Sequence, residues 1–182
     1  QSSYNVEFYY QCEKRSAVID VFQVQNQKSR QPLILEQQAR DKLIAAIVAL
    51  LNSELTNQPL NGLVLLAGLG WREVKLLASY QAYLSQVSAS TSRAHVNETM
   101  LAYPECSALL FHYFEAKFLP GQMERLKRMK EVEKAFERSL IAVNSYSSDR
   151  TLRALFSLVE ATVRTNYFLY KDYLAHKIEC SV

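Results

Sequence analysis

The chain has 182 residues, 49% of them hydrophobic and 21% charged, with a net charge of +3; this is enough for one globular domain with an appended element. Only 4 Gly and 4 Pro occur, too few turn formers for a sandwich or barrel, so most of the chain should be helical. The mild positive charge forms no long basic run, which argues against a nucleic-acid footprint, and no stretch approaches the ~20 apolar residues of a membrane span.

In chain order, Tyr4, Val6, Phe8 and Tyr10 alternate with Asn5, Glu7 and Gln11, the period of a half-buried strand. "AVIDVFQVQ" reads as a second strand, and the short link between them predicts a small N-terminal β-hairpin, which needs a partner to be stable. After the polar "NQKSRQP" the period changes: Ala39, Leu43, Ile47, Leu50 and Leu51 recur at three and four, a helix. Further helices are expected over Leu60–Ala67, Trp71–Gln86, Arg93–Ala102 and from Pro104 to the Pro120-Gly121 stop. Gln122–Asn144 reads as a long charged helix with one apolar stripe of Met123, Leu126, Met129, Phe136, Leu140 and Val143. The last helix is expected from Asp149 to about Tyr170, with Ser148 as its N-cap and Asp149 complementing the helix dipole. "YLAHKIECSV" alternates weakly, as a terminal strand would.

The fold class is therefore mainly α: a multi-helix bundle with a long antiparallel hairpin of the last two helices, plus the β-hairpin. The expected divisions are 1–31 (β-hairpin), 32–172 (helical domain) and 173–182 (strand or linker).

Chemistry is sparse. Gly68 and Gly70 match the first pair of a dinucleotide fingerprint, but Glu73 stands at the third position and would set a carboxylate against the pyrophosphate. No Gly-Lys-Ser or Gly-Lys-Thr exists. Gly68 better suits a left-handed helix end and Gly70 an N-cap, with Trp71 packed over the corner. Only Arg72 and Lys75 give basic character to the following helix, too little for a DNA-reading helix. His95, His112 and His176 lie in separate elements without metal-ligand spacing, and Ser107 and Cys106 lack a nucleophile-elbow context. Glu160 and Arg164, four apart on the expected last helix, predict a surface ion pair. "MERLKRMKEVEKAFER" interleaves Lys and Arg with Glu, the pattern of a solvated helix face. Asn97-Glu98-Thr99 matches a glycosylation acceptor with no role in a cytoplasmic protein. Cys12, Cys106 and Cys180 fit no disulfide framework, so a reducing compartment is expected, and "QSSYNVEFYY" lacks the features of a signal peptide. With no initial Met, the chain is expected to be a piece of a longer protein. A stand-alone helical interaction module accounts for the missing chemistry equally well, and a small nucleic-acid binder less well.

Two stretches carry a resemblance. "LNGLVLLAGLGWREVKLLASYQAYLSQ" resembles a segment of the large bacterial NAD-specific glutamate dehydrogenases, through Asn61, Leu63, Val64, Leu65, Ala67, Gly68, Leu69, Trp71, Arg72, Glu73 and Val74, then Tyr80, Tyr83, Leu84 and Gln86. "SSDRTLRALFSLVEATVRTNYF" is similar to a later helix of the same family, through Asp149, Arg150, Leu152, Arg153, Ala161, Thr162, Arg164, Thr165, Asn166, Tyr167 and Phe168. "HYFEAKFLP" between them also fits. Gly70 departs from the Ser or Thr common in the family, and Gly62 from its Arg.

The resemblance implies a helical region upstream of a catalytic domain, with 1–31 as the tail of a preceding ACT-like segment and 173–182 leading toward catalysis. The parent would be a cytoplasmic homo-oligomer that deaminates L-glutamate oxidatively with NAD. Its catalytic lysines and dinucleotide fold would lie downstream, so this segment would hold no catalytic, cofactor or metal residue. Its partners would be the parent's own catalytic and ACT-like domains, with neither nucleic acid nor membrane. The residues marked for a structural role in the family motif are Asn61, Gly68, Trp71, Arg72, Glu73, Asp149, Arg150, Arg153, Arg164, Thr165, Asn166 and Tyr167.

Overall fold

The computed structural model describes the backbone of residues 4–12 and 15–23, and residues 35–88 and 91–169 in full. The chain divides into two compact units, Gln1–Arg40 and Asp41–Val182. In the first, β1 (Tyr4–Cys12) and β2 (Arg15–Gln23) pair antiparallel, from Tyr4 opposite Gln23 to Cys12 opposite Arg15.

Residues 35–88 and 91–169 contain seven α-helices and no strand. They are α1 (Gln37–Leu51), α2 (Leu63–Leu66), α3 (Trp71–Val87), α4 (Arg93–Ala102), α5 (Pro104–Phe118), α6 (Arg125–Leu140) and α7 (Tyr146–Ala161). A short 3-10 turn, Pro59–Gly62, leads into α2. The mainly α class stands, and residues 35–88 and 91–169 are all α, but the expected fold class is corrected in its pairing: the last two helices do not form the hairpin. The expected terminal strand, 173–182, lies outside the described residues.

α1 ends in a Schellman motif. Ser53 adopts φ 58°, the Glu54 N–H donates to the Ala49 carbonyl at 2.8 Å, and the Ser53 N–H donates to Leu50 at 3.1 Å. A left-handed residue here satisfies carbonyls the helix would orphan. At the next corner Gly68 has φ +64°, and the Glu73 carboxylate accepts the Gly70 N–H at 2.8 Å. That is one half of a capping box; glycine cannot supply the other.

α5 is the central helix. Cys106, Ser107, Leu110, Phe111, Tyr113, Phe114 and Ala116 are all buried, so its apolar surface runs most of the way round. Gly121, at φ +76°, turns the chain back so that α6 packs along α5. The hairpin of the domain is thus α5 with α6, not Gln122–Asn144 with a helix over Asp149–Tyr170. α7 instead lies against α3, α4 and α5, and meets α6 where Phe136 and Phe156 stack at 4.6 Å. An apolar stripe shows which face of a helix is buried but not which neighbour buries it.

The α6 stripe is also shorter than its sequence suggests. Phe136 and Leu140 are buried, while Leu126, in the first turn, is 73% exposed and Met123, which precedes the helix, 99%. α7 is displaced as well. Ser145 is its N-cap, accepting from the Ser148 N–H at 3.4 Å, and Ser148 is instead a buried acceptor for the Thr99 hydroxyl. The helix stops at Ala161, nine residues short of Tyr170.

Candidate functional site

The early end of α7 builds a surface feature from three helices. The Thr162 N–H closes the helix on Leu158 and Val159, and its hydroxyl bonds the Leu158 carbonyl at 2.8 Å. Such local hydroxyl–backbone bonds compete with helix continuation. Two other helices hold the chain there. The Tyr80 hydroxyl of α3 pairs with Thr162 Oγ1 at 2.8 Å. Lys117 of α5 donates to the Glu160 carbonyl and, at 2.7 Å, to the Thr162 carbonyl, placing a cation at the negative end of the α7 dipole.

Beyond Thr162, at ψ 125°, the chain leaves the helix. It forms one wall of an open groove of about 470 Å³ facing α3. Leu76, Tyr80, Phe114 and Leu158 give an apolar floor; Ser79, Tyr83, Thr165 and Asn166 stand around it, with Arg164 at the edge. Arg164 is the one charged residue among those lining the groove.

Burial pushes the Tyr80 phenol up, partly offset by its bond to Thr162. Tyr167 is pushed up to about 12, by burial first, then by the Glu73 carboxylate, with Arg72 opposing and Glu115 adding. Both phenols are therefore neutral near neutral pH. Burial likewise raises the Cys106 thiol, whose sulfur lies 3.2 Å from the Ser139 hydroxyl; such a thiol is a packing residue rather than a nucleophile. His112 lies 4.0 Å from Glu115 on an exposed face. Among the described residues no group of three His, Cys, Asp or Glu is placed to hold a metal, and no helix is long and apolar enough to cross a membrane.

The motif residues of the two sequence stretches fall into three places. Asn61 donates to the Thr56 carbonyl at 3.0 Å, and Gly68 accepts from Lys42; both fix the corner before α3. The Arg72 guanidinium sits 5.0 Å from the Trp71 ring, while Trp71 packs on the core and Glu73 caps α3. At the far end, Asp149 and Arg153 form a 2.9 Å ion pair, and Arg150 is exposed.

The groove collects the rest. Arg164, Thr165 and Asn166 line it, and the Thr165 hydroxyl accepts the Tyr167 N–H at 3.1 Å. Tyr167 meets Phe114 edge-on at 5.5 Å. The electrostatic reach of Glu73 and Arg72 to Tyr167 brings the start of α3 near the segment after α7. The expected Glu160–Arg164 ion pair is absent among the described residues: the helix ends between them, so the four-residue spacing no longer sets them side by side. Lys117 lies in the stretch "HYFEAKFLP" that shares the resemblance, but no pattern gave it a role. Its partners lie 43 and 45 residues away, and no local spacing signals them.

A family model described as "Glutamate dehydrogenase, helical motif 3" matches residues 55–120. The chain is 34% identical over 151 residues to the NAD-specific glutamate dehydrogenase of Halomonas elongata, covering 80% of this chain and 9% of that protein. It is 33% identical over 145 residues to that of Mycobacterium tuberculosis, covering 78% and 9%, and 27% identical over 136 residues to that of Pseudomonas aeruginosa, covering 72% and 8%. The chain thus spans about a tenth of the length of these relatives. No solved structure matches it.

Proposed function

We propose that this chain, which belongs to the helical region of the NAD-specific glutamate dehydrogenases, is a non-catalytic packing module of such an enzyme. The parent oxidatively deaminates L-glutamate to 2-oxoglutarate and ammonia with NAD in the cytoplasm, as a homo-oligomer. Residues 1–31 end a preceding ACT-like segment, 32–172 form the module, and 173–182 lead toward the catalytic domain. The module serves contacts between domains or subunits and passes regulatory signals between them.

The observation that carries this reading is the outer face of α1. Ile44, Val48 and Leu51, at i, i+4 and i+7, are 52%, 48% and 66% exposed. Their neighbours Ala46 and Ala49 turn inward. One helix face serving the core and another left apolar toward the outside suits a domain that docks on others. The absence of a phosphate loop in the sequence supports a role without NAD contact.

The test uses the full-length enzyme. Ile44→Ser with Val48→Ser should lower the assembled fraction and the thermal midpoint, while the KM values for NAD and glutamate of the assembled fraction stay unchanged. A changed KM for NAD at unchanged assembly would overturn the reading.

A further inference from the structure

The groove after α7 is a second surface feature that the core does not require. We infer that it receives an extended peptide segment carrying an apolar side chain beside a carboxylate. The inference rests on the packing-module reading, since the segment would belong to the same enzyme.

Three observations converge. The first is shape and polarity: a cleft of about 470 Å³ with an apolar floor and a few polar groups has the make-up of a recognition site, and its openness at the surface suits a chain passing through.

The second is charge. Arg164 is exposed, and among the described residues no carboxylate lies within ion-pair distance of it. No Asp or Glu lines the groove. An acidic group on the incoming segment would therefore meet an unopposed, fork-shaped donor.

The third is backbone. The N–H groups of Val163, Arg164, Thr165 and Asn166 make no hydrogen bond among the described residues. They belong to a stretch outside any helix or sheet, so an extended chain alongside can pair with alternate ones of them, as in strand addition to an exposed edge.

The wall is also held in place before any partner arrives. Thr162 is tied to Tyr80 and Lys117, and Phe168 is buried against Phe114 at 5.9 Å. With both ends of the stretch fixed, less conformational freedom is lost on binding. Tyr83, 54% exposed, is an amphipathic side chain ready to cover an apolar group.

The test is an NMR titration of the 182-residue chain with two acetylated, amidated tetrapeptides, Glu-Leu-Asp-Phe and its basic counterpart Lys-Leu-Lys-Phe. The acidic peptide should move the signals of Leu76, Tyr83 and Thr165, and the basic peptide should not. Arg164→Glu should weaken the acidic peptide about tenfold, the effect of replacing a rim attraction by a repulsion, and let the basic peptide bind. An unperturbed groove, equal binding of both peptides, or an unchanged response in Arg164→Glu would overturn the inference. Because Arg164 is exposed, the variant should keep its fold, which its amide spectrum reports directly. A folded chain that ignores both peptides refutes the groove while leaving the α1 surface, and the module reading, standing.

Discussion

α5 and α6 are neighbours of nearly equal length, 15 and 16 residues, yet they hold the domain together in different ways. α5 buries seven residues and α6 only two, Phe136 and Leu140. α5 is apolar on several sides because helices pack on several sides of it. α6 is charged on all but one face and covers α5 like a shield. Pairing two helices in a hairpin therefore says little about how evenly they share the energy of the fold.

The largest expected effect lies at Phe114, which is 1% exposed. Its ring lies within 4.9 Å of Phe118, 5.5 Å of Tyr167 and 5.9 Å of Phe168. Phe114→Ala should cost about 3–5 kcal/mol, the transfer and cavity cost of a buried aromatic ring. Leu126→Ala on α6, at 73% exposure, should cost less than about 0.5 kcal/mol. Urea denaturation of both variants breaks the contrast if their losses are comparable.

Next comes Lys117, which carries the C-terminal end of α7. Lys117→Met keeps the aliphatic stem and removes the charged donor from two carbonyls. It should cost about 1–2 kcal/mol and speed amide exchange of residues 162–169 ahead of the α5 core. Exchange that rises uniformly would mean that the segment after α7 is not held separately.

A stabilising change is expected at Ser53, the left-handed residue closing α1. Ser53→Gly removes the side-chain penalty of that conformation and should add about 1 kcal/mol, read as a higher midpoint in the same denaturation. An unchanged or lower midpoint would argue against the left-handed cap.

The smallest effect is one of pH. Tyr167 is raised to about 12 in the fold, above the ordinary value near 10. The unfolded chain therefore ionises this phenol first as pH rises. Its contribution is fully present below pH ~10 and is lost between ~10 and ~12. Tyr167→Phe should melt like the parent chain at pH 7 and above it at pH 11. Equal melting at pH 11 would place the phenol in water.

Much of the helical content was legible in the sequence. The apolar periods marked α1, α3, α4 and α5 closely, and the Gly68–Gly70 corner followed from backbone chemistry alone. What the sequence hid was decided at a distance. The stop of α7 at Ala161 coincides with contacts from Tyr80 and Lys117, far away in the chain, whereas Thr162, Val163, Thr165 and Asn166 weaken a helix by propensity without fixing where it ends. The partner of α6 followed from the turn at Gly121 and from how much of the α5 surface remained to be covered. The groove itself was legible only in halves: its residues sit in two stretches already distinguished by family likeness, but their meeting requires the fold. The family match over 55–120 reaches only the α3 and α5 side of it.

The central claim, a packing module without cofactor or substrate contact, is met most directly by calorimetry. The 182-residue chain is titrated with NAD and, separately, with L-glutamate, after circular dichroism has established that it is folded. The account predicts no saturable heat for either ligand. A saturable isotherm with NAD would contradict it, and would place part of the dinucleotide site within these helices.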